Sequence, residues 1–284
     1  IPMKRHILQQ WLKAGYIENG QAFPTEEGTP QGGIASPVLA NMTLDGLEAA
    51  IRKEIPACNS NPRPKVHLVR YADDSAVTAA SKEVLEDRVL PAIVEFLRVR
   101  GLNVSKMKTR IIHISEGFDF LGQTVRKFGD KLIIRPAKAS IESLLDTVRK
   151  ELRRLLSAPV KEVVGKLNSI LRGWANYHRH VVSAKTFKHI DERVYHMLWQ
   201  WAMRRHQKRS KHWIAYRYWR VHPGPWRFTA TWKEKSGKHY SLRLFRLTEL
   251  PIRRHLKIRS AANPYSYRWQ DYFAKRLAMA TVRT

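Results

Sequence analysis

Three scarcities bound this sequence before any motif is read. Cysteine occurs once, as Cys58, in 284 residues. A single thiol excludes an internal disulfide and any cysteine-built zinc finger, and it fits a reducing cytosol. Acidic side chains are few: 24 Asp and Glu stand against 52 Lys and Arg, a formal net charge of +28. Long apolar runs are missing as well. No stretch reaches the roughly 18–20 residues that a bilayer-spanning helix needs, and mean hydropathy is −0.45. Neither a signal peptide nor a low-complexity tract is visible. What remains is a chain long enough for two or three domains with real cores.

The excess charge is uneven. Residues 1–110 carry 15 basic and 12 acidic side chains, and residues 111–284 carry 37 and 12. The second stretch also holds eight of the nine tryptophans. A basic segment this rich in Trp reads as a folded surface for a polyanion, and nucleic acid is favoured over a membrane surface.

Hydrophobic spacing outlines the elements. Lys4 to Ala14 predicts a short helix with Ile7, Leu8, Trp11 and Leu12 on one face. Gly28 to Pro37 holds three glycines and two prolines, a shaped loop, with Ser36 as cap and Pro37 in the first turn of a helix that buries Leu39, Met42, Leu47 and Ala50 or Ile51. That loop is either an ordinary turn or a backbone approach to a nucleotide, with Gln31 offering an amide. Residues 82–100 predict an amphipathic helix, Ile111 to Ile114 a strand, and Phe118 to Ile134 further strands around a Gly129-Asp130 turn. The first 135 residues thus predict an α+β fold around an antiparallel sheet. Beyond Pro136 the pattern turns helical: 139–156, 160–180, and a third helix capped by Ser183 with Phe187, Ile190, Val194, Leu198 and Trp201 as core. Residues 211–284 interleave aromatic and basic side chains in short strands. Core filling and base stacking are equally good readings there. None of the twelve His has metal-ligand spacing, and His6, His178, His180 and His206 fit hydrogen bonding or proximity to phosphate.

One stretch carries chemistry. Tyr71-Ala72-Asp73-Asp74 follows the apolar run Val66 to Val69 and precedes Ala76-Val77-Thr78, a hairpin with an acidic tip. Two adjacent carboxylates repel unless a cation lies between them, and hard oxygen ligands suit Mg²⁺. The alternative is a solvated turn.

The order of motifs decides more than any one of them. Gly28-Thr29-Pro30-Gln31-Gly32-Gly33 precedes a helix, Tyr71-Ala72-Asp73-Asp74 follows about forty residues on, then come Gly101-Leu102, Lys108-Thr109-Arg110 and Phe118-Asp119-Phe120-Leu121-Gly122. This resembles the palm of reverse transcriptases encoded by bacterial group II introns. Leu167 to Tyr177, with Arg172-Gly173-Trp174, and Leu198-Trp199-Gln200-Trp201-Ala202 resemble that family's maturase (X, or thumb) domain. The resemblance implies Asp73 and Asp74 as catalytic, Mg²⁺-binding carboxylates. It puts Tyr71 and Ala72 beside the primer end and incoming nucleotide, and Gln31 and Gly32 under the template–nucleotide pair. Lys108 would lie near the nucleotide phosphates, and Phe120, Leu121 and Gly122 would hold the primer.

The implied domains are partial fingers and palm (1–135), a helical thumb or maturase domain (136–210) and a basic, aromatic-rich DNA-binding region (211–284). The imbalance of sign on the helix faces, and the interleaving of basic with aromatic residues after 211, predict Arg172, Arg179, Lys185, Arg204, Arg205, Lys208, Arg217 and Arg220 as RNA and DNA contacts. The implied partners are intron RNA in a ribonucleoprotein, target DNA and deoxynucleoside triphosphates, with no membrane; a homodimer is left open. The implied location is the bacterial cytoplasm, at the nucleoid when DNA is engaged.

The sequence departs from the family in one respect. The first metal-binding Asp, followed by an aromatic pair, is not found. Asp45 lies in a predicted helix without that context, and the missing segment is expected upstream of Ile1. A fragment of this kind is not expected to polymerise alone. Ala262 to Arg276 resembles the lead-in to the Cys-rich endonuclease domain in which that family often ends. A splicing-only RNA-binding maturase is the rival, and a retron or diversity-generating reverse transcriptase is a further one that Arg172-Gly173-Trp174 speaks against.

Overall fold

The computed structural model describes residues 4–18, 20–24, 36–55, 65–105, 107–219, 226–234, 236–254, 258–259 and 262–282. The chain divides into two compact units, Ile1–His113 and Ile114–Thr284. Helices and small antiparallel sheets alternate, an α+β fold.

In the first unit α1 (Arg5–Lys13) leads into a hairpin of β1 (Tyr16–Glu18) and β2 (Gln21–Phe23). The apolar stripe of α1 is where spacing puts it, yet no residue of this helix is buried. The helix predicted after Pro37 is two helices, α2 (Ser36–Thr43) and α3 (Leu47–Glu54). Gly46, at φ +84°, supplies the left-handed backbone that separates them, and Asp45 lies in that turn rather than in a helix. The acidic hairpin follows as β3 (His67–Tyr71) and β4 (Asp74–Thr78).

The helix predicted over 82–100 is present as α4 (Lys82–Val84), a π-helical turn Leu85–Val89 and α5 (Leu90–Arg98). Pro91 has no amide hydrogen and crowds the preceding carbonyls, and widening the turn ahead of it relieves both. Leu47 and Ile51 of α3 meet Val89 and Phe96 in a small core, backed by Leu68 and Val77 of the hairpin.

In the second unit β5 (Phe118–Phe120), β6 (Gln123–Phe128) and β7 (Lys131–Pro136) form a meander. The expected strand Ile111–Ile114 is absent: that segment is not in a ladder, although the Lys127 amide of β6 donates to the Ile114 carbonyl. Among the described residues the single sheet expected over the first 135 residues is also absent. Each strand pairs only with its chain neighbour, giving three separate sheets in that span. Three long helices follow: α6 (Lys138–Arg154), α7 (Val160–His178) and α8 (Ala184–Arg205). Phe187, Ile190, Val194, Leu198 and Trp201 are all buried, as their spacing predicts. Ser183 does precede α8, but its hydroxyl donates to the Val181 carbonyl instead of capping.

Helix α9 (Lys211–Tyr218), the hairpin β8 (Thr229–Lys233) with β9 (His239–Arg243), and a 3-10 turn Leu247–Glu249 pack into the same core as the three helices. Asn168 of α7 stitches the hairpin down: its amide donates to the Arg243 carbonyl (2.9 Å) and its oxygen accepts from the Phe245 amide (2.6 Å). A final helix, α10, covers Gln270–Val282.

Candidate active site and nucleic-acid interface

The acidic hairpin closes on a two-residue turn. Tyr71 pairs with Asp74, so Ala72 and Asp73 form the loop and Asp74 opens β4. Ala72 has φ +54°, a left-handed conformation that costs an L-residue about 1–2 kcal/mol and persists where neighbours hold it. Arg70 holds it. Its guanidinium donates to the Ala72 carbonyl (3.0 Å) and to Asn41 Oδ1 (2.8 Å), tying the apex to α2. The nearest cation in sequence is thereby directed at a carbonyl and an amide rather than at a carboxylate. Asp73 and Asp74 are exposed and, among the described residues, make no ion pair or side-chain hydrogen bond. Tyr71 stands exposed beside them.

Two un-neutralised neighbouring carboxylates fit as oxygen ligands of Mg²⁺, an ion that keeps several waters and takes other oxygens from phosphate. Among the described residues no group of three or more His, Cys, Asp or Glu side chains comes together. Lys108 lies in a turn of the same unit, its side chain exposed. Gln31 and Gly32 lie outside the described residues, as does Arg220. Arg70 and Asn41 are the positioning residues that sequence reasoning missed; 29 positions apart, they share no motif.

Phe120, Leu121 and Gly122 belong to the second unit. Phe120 pairs with Gln123, and the loop between them has φ +50° at Leu121 and +71° at Gly122. Two left-handed residues match the twist of a tight hairpin, but leucine at the first is strained. Helix α7 and the turn after it secure the loop from outside: the Tyr177 hydroxyl donates to the Leu121 carbonyl (2.8 Å), and Gln123 Nε2 lies 3.1 Å from His180 Nε2 just beyond the helix.

The predicted cationic contacts differ in how far they are already engaged. Lys185, Arg204, Lys208 and Arg217 are exposed and make no hydrogen bond or ion pair among the described residues. Arg172 is exposed with its guanidinium 5.2 Å from the Phe245 ring centre. Arg179 is half-buried, its Nη1 3.4 Å from Asn176 Oδ1. Arg205 is committed within the fold: it donates to the carbonyls of Leu156 (3.0 Å) and Ala158 (2.5 Å) and lies over Trp201. The aromatic residues divide likewise. Tyr218, Trp219 and Phe228 are core, while Tyr216 (65% exposed) and Trp226 face outward.

His178 is buried rather than phosphate-facing. Its Nε2 lies 3.2 Å from Ser140 Oγ, which also accepts from Trp174 Nε1 (3.1 Å). Burial first, and the neighbouring His180 second, push its pKa down to about 4.

The first unit thus presents an exposed acidic hairpin, and the second a helical bundle studded with unengaged cations. Residues 1–125 match the family described as reverse transcriptase (RNA-dependent DNA polymerase), which gives the class. Residues 141–219 match the maturase-specific domain of group II introns. With both segments in this order, the chain matches the two parts of a group II intron reverse transcriptase–maturase.

Its relatives agree. It is 24% identical to the group II intron-encoded protein LtrA of Lactococcus lactis subsp. cremoris, over 61% of this chain and 43% of that one. It is 27% identical to protein YkfC of Escherichia coli (strain K12), over 57% and 47%. An uncharacterized 91 kDa protein in the cob intron of Schizosaccharomyces pombe is 25% identical, over 62% and 30%. The chain spans less than half the length of these curated relatives.

Proposed function

We propose that this chain supplies the acidic palm hairpin and the thumb of an RNA-directed DNA polymerase that also binds its intron RNA as a maturase. The observation that carries the polymerase reading is the Asp73–Asp74 pair: exposed, unpaired, and on a turn held by Arg70 and Asn41 in the segment matching reverse transcriptases. Asp73 and Asp74 would hold Mg²⁺, whose contribution when bound is to stabilise charge on the attacking and leaving oxygens. The reaction is attack of a primer 3′-hydroxyl on the α-phosphate of a deoxynucleoside triphosphate: the 3′-oxygen–phosphorus bond forms, the bond from the α-phosphorus to the oxygen bridging the β-phosphate breaks, pyrophosphate leaves and the hydroxyl proton passes to water. Tyr71 and Ala72 would flank the primer end, with Gln31 and Gly32 under the template pair. Lys108 would meet the phosphates, and Phe120, Leu121 and Gly122 would hold the primer.

The RNA-binding part is supported by the unengaged cations Lys185, Arg204, Lys208 and Arg217 and by the match of 141–219 to the maturase-specific domain. Target DNA would meet residues 211–284, and the ribonucleoprotein would act in the bacterial cytoplasm at the nucleoid. Among the described residues no helix is long and apolar enough to cross a membrane.

Asp73→Asn in the full-length protein separates the two activities. Primer extension on an RNA template is expected to vanish while intron splicing persists. Extension that survives removes the metal role, and splicing lost to the same degree removes the division of labour.

A further inference from the structure

The second unit contains a cleft of about 320 Å³ that the proposed polymerase chemistry does not use. One wall is the face of α8 carrying Lys188, Glu192, Tyr195 and His196; the other is the segment after β9, from Leu244 to Thr248. The floor is the buried pair Trp219 and Phe228.

Sorting the polar groups by what they already bond leaves few free. Asp191 is engaged: it accepts from the amides of Leu247 (2.9 Å) and Thr248 (3.1 Å) and from the Thr248 hydroxyl (2.7 Å). Arg227 is engaged by a two-pronged pair with Glu249 (2.7 Å each) and a bond to the Leu244 carbonyl. Lys188, Glu192 and His196 are exposed and make no hydrogen bond or ion pair among the described residues. Between them stands Tyr195, 38% exposed, its ring steadied edge-on against Trp219 at 5.6 Å and stacked with Trp199 at 6.4 Å.

Glu192 is informative because of its sign. It is an unneutralised carboxylate in a stretch where basic residues outnumber acids three to one, and a phosphate would be repelled by it. An acceptor of two N–H groups, an ammonium and an exposed aromatic face together complement a different group. The edge of guanine offers N1–H and a 2-amino group as donors, and O6 and N7 as acceptors that lysine satisfies. Single-stranded RNA is read by such unstacked bases, laid on aromatic rings and bonded along their edges. A volume near the ~300 Å³ lower end of ligand pockets admits one nucleotide and not several.

We infer that this cleft receives an unpaired guanine base of bound RNA. Tyr195 is the stacking face, Glu192 accepts from N1–H and the 2-amino group, and Lys188 donates to O6 or N7. The inference rests on the RNA-binding reading above.

The test uses the whole 284-residue chain and a fluorescently labelled RNA stem, titrated by anisotropy at one salt concentration. The stem carries a single bulged guanosine, inosine, adenosine or abasic site, or no bulge. The guanosine bulge is expected to bind about tenfold tighter than the adenosine bulge, the scale of one two-pronged base contact, with inosine, which lacks the 2-amino group, between them. Glu192→Gln, at an exposed position, should bring the guanosine-to-adenosine ratio near one while leaving the unbulged stem unchanged. Tyr195→Ala should weaken all bulged bases alike. Equal affinity for guanosine and abasic bulges, a preference for adenosine, or a ratio that Glu192→Gln does not move overturns the cleft and leaves RNA binding standing. A chain that binds none of these RNAs overturns the RNA-binding reading, and the inference with it.

Discussion

His178, only 1% exposed, is the described residue moved furthest from its aqueous behaviour. Its folded pKa of about 4 lies below the ordinary 6.5, so below pH 6.5 the unfolded chain binds the extra proton and the folded one does not. The stabilisation is therefore complete above pH 6.5 and lost as pH falls toward 4, on the order of 3 kcal/mol for this shift. Thermal melts between pH 4 and 7 should show that slope, and His178→Gln should flatten it; an unchanged slope would place the effect elsewhere. Arg205 gives a second expectation at this scale. Because it holds the Leu156 and Ala158 carbonyls, Arg205→Ala should lower the melting temperature, whereas Arg204→Ala, at an unengaged neighbour, should weaken RNA binding without doing so. The opposite pattern in paired melts and titrations would reverse their roles.

Among elements, the β8–β9 hairpin depends on one side chain from α7. Asn168 serves the Arg243 carbonyl and the Phe245 amide, and its loss strands both. Asn168→Leu keeps the volume and still leaves two unpaired backbone groups, a loss of about 2–4 kcal/mol measurable by urea denaturation; a loss below about 0.5 kcal/mol would mean that water replaces both bonds. The turn at Leu121 is secured in the same way by Tyr177 from α7. The π-helical turn Leu85–Val89 makes a related point. Its apolar spacing reads as ordinary helix, and only the missing amide of Pro91 betrays the distortion.

At the scale of the molecule, the two units are unequally built. The core cluster of the second unit runs from Leu144 to Leu247, whereas in the first the buried cluster among the described residues is Leu47, Ile51, Val89 and Phe96. Local opening follows local burial, so amides of β3 and β4 should exchange with solvent faster than those of α7 under native conditions. Equal protection by mass spectrometry would contradict this. Charge is unequal as well. Reversing Lys185, Arg204, Lys208 and Arg217 together should flatten the dependence of RNA affinity on salt by about 0.7–0.9 per cation; an unchanged slope would remove this surface from the interface.

What the sequence determined by itself was whatever depends on near neighbours. The acidic hairpin, the meander around Gly129-Asp130 and the buried stripe of α8 follow from alternation, turn chemistry and a 3.6-residue period, which act within a few positions. The remaining features depend on distant residues meeting. No local signal separates buried Tyr218 from exposed Tyr216, commits Arg205 to a loop some fifty residues upstream, or turns Arg70 toward Asn41 and away from the carboxylates. Likewise, the strands closed into separate small sheets because each found its partner across its own turn, and alternation alone does not specify which edge a strand meets.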